Sequence, residues 1–268
     1  MSEEGKEKTA SSLVKKFYRF DIYLTMIAVL IILAGLNVLQ FGISNTIPQL
    51  VLAVVSSVFV EALWDFYKLR KWQYSKSAII TGLFIGSLLD PGQILYVPVV
   101  AGIVAILSKQ LIRAKGRAFF NPTIFSMLVV SVVFKTSLGW WSSVNIIATA
   151  MLGLFISVKY KRLGLTIPFL ALSALIVYAQ TMSLTSAENL LMSAPFLFFT
   201  FFMLVEPKTS PFSGRGRMIY AVISSLLYFA VGFVLARMTG YLGFALDTTV
   251  VTLLLANVIA WIMNWKLV

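Results

Sequence analysis

The stretch that most constrains this chain runs from Lys76 to Thr123. An apolar run of only about 14 residues, Ser77 to Asp90, ends in the acid–proline pair Asp90-Pro91. As a helix it would rise roughly 21 Å, short of the ~30 Å hydrocarbon thickness of a bilayer. A second apolar run follows, then a basic loop with Arg113, Lys115 and Arg117, then Asn121-Pro122-Thr123 opening a third run. Short, proline-interrupted apolar segments read as broken helices, whose freed backbone groups must face something polar. The second half echoes the pattern. Phe198–Leu204 runs into Glu206-Pro207, and Gly214-Arg215-Gly216-Arg217 precedes the next apolar run.

Composition sets the class. Of 268 residues, 59% are hydrophobic and 12% charged, whereas soluble domains are about 45–50% apolar and about 25% charged. The chain therefore reads as an all-α integral membrane protein. Ten apolar segments are expected, near 21–41, 47–67, 77–90, 94–112, 121–135, 142–159, 164–182, 188–205, 217–237 and 245–264. Threading them alternately through a membrane places 20 of the 22 basic residues on one side, leaving only Lys135 and Arg237 on the other. Basic loops stay cytoplasmic, so both termini are expected inside a cell membrane. The same asymmetry accounts for the net charge of +12 and argues against nucleic acid as a partner. The polar start, MSEEGKEKTASSLVKK, lacks an apolar core and reads as a cytoplasmic tail rather than a cleaved signal.

Ten segments divide as five plus five, and an odd number inverts the second half. The expected organisation is a tail over 1–19 and inverted repeats over 20–136 and 137–268, with broken helices. The chain has no Cys and no His. Its own side chains thus offer no ligands for haem, thiolate-held iron–sulfur clusters or ordinary zinc sites. A redox group would be organic.

Several residues admit two readings. Asp90 and Glu206 are helix-terminal acids or parts of a polar site at the breaks. Glu61 and Asp65 share a helix face beside Lys68, as an ordinary ion pair or as an ion pathway. Asn121 before Pro122 suits an N-cap with proline at the first helical position, which would also aim backbone N–H groups at a ligand. Gly214-Arg215-Gly216-Arg217 reads as topology and lipid contact, or as a phosphate turn. Gly82-x-x-x-Gly86 suits close helix packing, and Asn257 suits a polar link between helices.

Taken in order, Glu61-Ala62-Leu63, Lys76-Ser77-Ala78-Ile79-Ile80-Thr81-Gly82-Leu83, Asp90-Pro91, Phe120-Asn121-Pro122-Thr123, Glu206-Pro207-Lys208-Thr209-Ser210-Pro211 and Gly214-Arg215-Gly216-Arg217-Met218-Ile219-Tyr220 resemble the RnfD/NqrB family. Those are membrane subunits of the Rnf complex and of the sodium-pumping NADH:quinone oxidoreductase. The resemblance covers roughly residues 40–260. It implies a ten-helix inverted-repeat fold similar to the urea transporters, partner subunits and redox-driven ion translocation. The breaks at Pro91, Pro122 and Pro207, together with the resemblance, point to a polar site between the halves for a cation or a non-covalent flavin (riboflavin or FMN), with Thr81, Gly82, Asp90, Pro91, Asn121, Pro122, Thr123, Glu206, Pro207, Thr209, Ser210, Arg215 and Arg217 as its candidate residues. The family's Ser-Gly-Ala-Thr motif for covalent FMN is absent; the matching linker reads Lys135-Thr136-Ser137-Leu138-Gly139-Trp140-Trp141-Ser142-Ser143. No covalent FMN is expected. Two function classes stay open: a subunit of an ion-translocating redox complex, and a stand-alone transporter or channel for a small polar solute or a flavin. Either is compatible with a homo-oligomer.

Overall fold

The structure, a computed structural model, describes residues 21–242 and 246–266; the expected tail over 1–19 lies outside them. Asp21 caps α1 (Ile22–Phe41) through a 2.9 Å bond to the Tyr23 amide. Gly42, at φ 88°, turns the chain directly into α2 (Ile43–Leu69). The short α3 (Lys76–Leu88) and α4 (Tyr96–Leu111) follow. Sequence reading gives the next stretch as a basic loop, but the chain forms a small hairpin there, β1 (Arg113–Ala114) against β2 (Arg117–Ala118). Asn121 then caps α5 (Pro122–Phe134), accepting from the Ile124 amide at 3.2 Å, with Pro122 in the first turn where its missing N–H costs nothing.

A one-turn 3-10 helix, Trp141–Ser143, leads into the second half. There α6 (Ile146–Lys159) and α7 (Leu163–Thr181) are followed by a bent pair, α8 (Leu184–Leu191) and α9 (Ala194–Phe198). The helix after α9 widens to a π turn at Phe199–Met203, and the bend from α8 is 59°. The fold closes with α10 (Gly214–Leu242) and α11 (Thr248–Lys266).

This is an all-α, multi-pass membrane protein. By length and composition α1, α2, α7 and most of α10 can each cross a bilayer, and the bent pair would make a fifth span. Five shorter apolar helices, α3 to α6 and α11, complete a set that overlaps the ten segments expected from sequence. Leu36, Leu39, Phe59, Ile147 and Leu175 point outward, as residues facing lipid would. The interior is aromatic and tight: Phe196, Phe198, Phe199, Phe202, Tyr220 and Trp141 are fully buried.

Small residues set the helix contacts. Gly82 and Gly86 of α3 lie against α2, where a Cβ would stand 2.4 Å from the Val54 Cα and 2.6 Å from the Leu50 Cα. Gly102 of α4 also packs on α2, where a Cβ would lie 2.1 Å from the Ser56 hydroxyl. Close backbone approach of this kind holds membrane helices together where the hydrophobic effect does not. Gly82→Ala must therefore push two backbones apart, at a cost of about 1–3 kcal/mol. In detergent it should lower the unfolding temperature measurably. Gly164→Ala, which meets nothing within 4 Å, should leave it unchanged.

Candidate functional site

The break at the end of α3 leaves carbonyls without helical partners, and the rest of the protein supplies donors. The Gln49 amide of α2 donates to the carbonyls of Gly86 (2.9 Å) and Leu89 (3.1 Å). The Trp141 indole donates to Gly86 at 2.8 Å. The Gly139 and Trp140 amides donate to Leu88 at 2.9 and 3.2 Å. Asp90 accepts from the Ser137 hydroxyl at 3.2 Å, and Gly139 fits against Asp90 and Pro91 so closely that a Cβ would touch both at 2.9 Å. This break is thus closed by protein. Among the described residues, neither Asp90 nor Pro91 lines the cavity at the second break, where sequence analysis expected both acid–proline breaks to face one interior.

The second break is different. Glu206 follows the π turn, and its carboxylate accepts from the Asn121 side-chain amide at 2.6 Å and the Thr209 hydroxyl at 3.2 Å. Its carbonyl takes the Thr209 and Ser210 amides (3.3 and 3.2 Å) and the Ser210 hydroxyl (2.7 Å). The Asn121 amide in turn donates to Asn257 of α11 at 2.7 Å, and Asn257 reaches back to the Thr209 carbonyl at 3.5 Å. Asn121, Glu206, Thr209 and Asn257 therefore form a closed ring that ties α5, the Glu206 loop and α11.

A cavity of about 200 Å³ opens on this ring. Thr81, Asn121, Pro122, Thr123, Glu206, Pro207 and Thr209 line it, so seven of the sequence candidates converge. Phe84 and Phe202 also line it; Phe198 contacts both rings, at 5.8 and 4.9 Å between centroids, and Trp140 meets Phe198 edge-on at 5.9 Å. Withdrawal from solvent pushes the Glu206 carboxyl above the ordinary glutamate range, against the pull of the Lys208 charge.

The remaining candidates do other work. Gly82 faces α2, away from the cavity. Ser210 is buried as a loop brace. Arg217 donates to the Lys161 and Phe212 carbonyls (2.6 and 2.9 Å), pinning loops beside Arg162, which holds the Pro211 carbonyl at 2.6 Å. Arg215 is exposed. Glu61 is buried and paired, but with Lys109 (2.6 and 2.8 Å) rather than Lys68. Lys109 also donates to Ser77 at 3.2 Å, and Lys208 reaches the same hydroxyl at 3.3 Å while lying over the Tyr23 ring. These groups border both the inner cavity and a wider vestibule of about 970 Å³, which Asp65 and Glu61 line with Lys68, Lys76 and Arg113. At its rim Lys76 bonds Asp21 and holds that carboxyl below its usual range.

Sequence reasoning missed Lys109, Ser77, Tyr23 and Lys208 as site residues. Lys109 carried a signal, since a lysine within an apolar helix asks for a partner acid.

Fold and site together define a multi-pass helical membrane protein with a polar cavity built at a helix break, open toward its basic end. The chain belongs to the NQR2, RnfD, RnfE family, whose sequence profile matches residues 13–161. Among curated proteins it is similar to the D subunit of the ion-translocating oxidoreductase complex of Shigella dysenteriae serotype 1 (strain Sd197). The two are 31% identical over 115 residues, which cover 41% of this chain and 32% of that relative. The match thus spans about a third of the relative's length.

The Glu61–Lys109 pair gives a direct test. Removing one partner of a buried pair leaves an uncompensated charge, at about 3–5 kcal/mol. Lys109→Met should be strongly destabilised in thermal unfolding, and the double change Glu61→Gln with Lys109→Gln should recover much of the loss.

Proposed function

We propose that this chain is a membrane subunit of an ion-translocating oxidoreductase complex of the RnfD/NqrB kind, and that Glu206 is its cation-binding carboxylate. The observation that carries the reading is the position of Glu206. A carboxylate fixed by Asn121 and Thr209 at the wall of a cavity can exchange the protein's own donors for a cation. Lys109 and Lys208 stand near enough to compete with that cation for negative charge. Family membership and the similarity to a component of an ion-translocating complex support the wider assignment.

The proposed architecture is ten segments, five plus five inverted, with repeats over 20–136 and 137–268 and both termini cytoplasmic. Two features support it beyond the charge asymmetry. Thr46-Ile47-Pro48 near the start of α2 reappears as Thr166-Ile167-Pro168 near the start of α7, each threonine bonding the carbonyl four residues back. Helix contacts also repeat: α2 packs on α3 and α4, and α4 on α5, as α7 packs on α8 and α10, and α10 on α11. Cysteines at Ser137 and Arg215 should then label from opposite sides of sealed cells; labelling from one side overturns the ten-segment topology.

A non-covalent flavin, riboflavin or FMN, fits the same region. Tyr23, Phe84 and Phe202 offer flat apolar walls, and the Lys109 and Lys208 ammoniums face a space that continues into the vestibule. A flavin held there would supply electron transfer. A second reading, a stand-alone transporter, draws on the linker: its residues 138–142 are bonded into the core, and its sequence lacks the covalent-flavin motif. A flavin spectrum in the purified protein favours the redox subunit or a flavin carrier, and a colourless protein conducting a small solute favours the transporter.

The two acid–proline breaks can be separated experimentally. Glu206→Gln should abolish sodium uptake into proteoliposomes while the protein stays monodisperse, and Asp90→Asn should retain most of it. Uptake should also fall as pH is lowered through a value above the ordinary glutamate range, because protonation competes with the cation. Full uptake by Glu206→Gln would remove the proposal's basis.

A further inference from the structure

A separate cavity of about 240 Å³ lies between the β1–β2 hairpin, the Lys208–Phe212 loop and the last turns of α11. It shares Ala118, Lys208 and Thr209 with the Glu206 cavity but has its own chemistry. Lys115 and Arg117 line it from the hairpin and Lys208 from the loop, with no acid among the described lining residues. The Arg117 guanidinium sits 4.5 Å from the Phe212 ring centroid, a stacking that fixes the fork and leaves its edge N–H groups to bind. Asn264 accepts from the Phe212 amide at 3.2 Å, so its NH₂ group is the end that remains to donate. Phe119 and Trp261, 5.4 Å apart, form an aromatic wall.

The hairpin turn places Lys115 at the cavity. Lys115 and Gly116 both have positive φ, 49° and 78°, as a tight two-residue hairpin turn requires. Asn or Gly meets that demand at the first position with less strain. The sequence instead places a lysine there, where it lines the cavity.

We propose that this cavity binds the phosphate of an anionic phospholipid. Arg117 and Lys115 neutralise the phosphate, Asn264 donates to it, and Trp261 and Phe119 cover the glycerol region. A lipid is favoured over free phosphate because the cavity lies at the ends of apolar helices. Its rim is aromatic, and Ile262 and Phe212 beside it are 43% and 44% exposed. Tryptophan at helix ends and basic pockets on the cytoplasmic side are features of headgroup recognition. The inference does not depend on what Glu206 binds.

The test is native mass spectrometry of the full chain with thermal unfolding in mixed micelles. Dioleoylphosphatidylglycerol should stay bound and raise the unfolding temperature, while dioleoylphosphatidylcholine and inorganic phosphate should not. Lys115→Gln with Arg117→Gln should weaken retention about tenfold or more, and Asn264→Ala should weaken it too. Arg117→Lys, which keeps the charge, should retain part of the binding and controls for folding. Arg70→Gln with Lys71→Gln, outside the cavity, should match the unaltered protein. Equal binding by the hairpin double variant, an equal loss in the Arg70/Lys71 variant, or equal retention of phosphatidylcholine would overturn the proposal. An equal temperature shift with inorganic phosphate alone would overturn the lipid assignment in favour of a free anion.

Discussion

The structure depends on what happens to three carbonyl groups, those of Gly86, Leu88 and Leu89, where α3 stops short. In an apolar surround each unmet carbonyl would cost several kcal/mol. Gln49, Trp141, Gly139 and Trp140 meet them. To do so α2 must lie close enough for its amide to reach, which Gly82 and Gly86 permit by lacking side chains. The linker must also run inward, with Trp140 and Trp141 both buried. Short helix, glycine contact and tryptophan linker are therefore parts of one solution.

The second break uses a different solution, and the difference creates the site. Glu206 brings its own acceptors, and the donors come from Asn121, Thr209 and Ser210. Nothing equivalent to the linker fills the space beside it, so a cavity remains on the side of Lys109 and Lys208. Two sequence elements that look alike, Asp90-Pro91 and Glu206-Pro207, thus end as a sealed joint and an open chamber. Part of the choice is made far away in sequence: Ser137 stands 47 positions from Asp90, and Asn121 stands 85 from Glu206.

That distance explains what the sequence could disclose. Helix positions were legible because apolar runs and prolines are local signals, and Asn121-Pro122 announced a capped start. The π turn at Phe199–Met203 was not legible, since no residue there departs from an ordinary apolar helix, whereas Pro195, in the first turn of α9, was a visible mark of the bend before it. The cavity wall was half legible. Asn121 and Glu206 sit at visible breaks and Thr81 within a visibly short segment, whereas Lys109 and Lys208 read as topology charges until Glu61, Ser77 and Tyr23 were brought beside them. The converse error had the same origin. Asp90 and Arg217 carry suggestive neighbours in sequence, but their partners are a linker serine and two backbone carbonyls.

The inward path of the linker also bears on how the chain is made. Residues 138–141 follow the proposed boundary between the halves, yet they complete the hydrogen bonding of α3, some 50 positions earlier. During synthesis α3 must wait, its last carbonyls held by Gln49 or by water, until the ribosome has delivered the tryptophans. On the proposed division, the insertion of the first half is finished by the opening residues of the second.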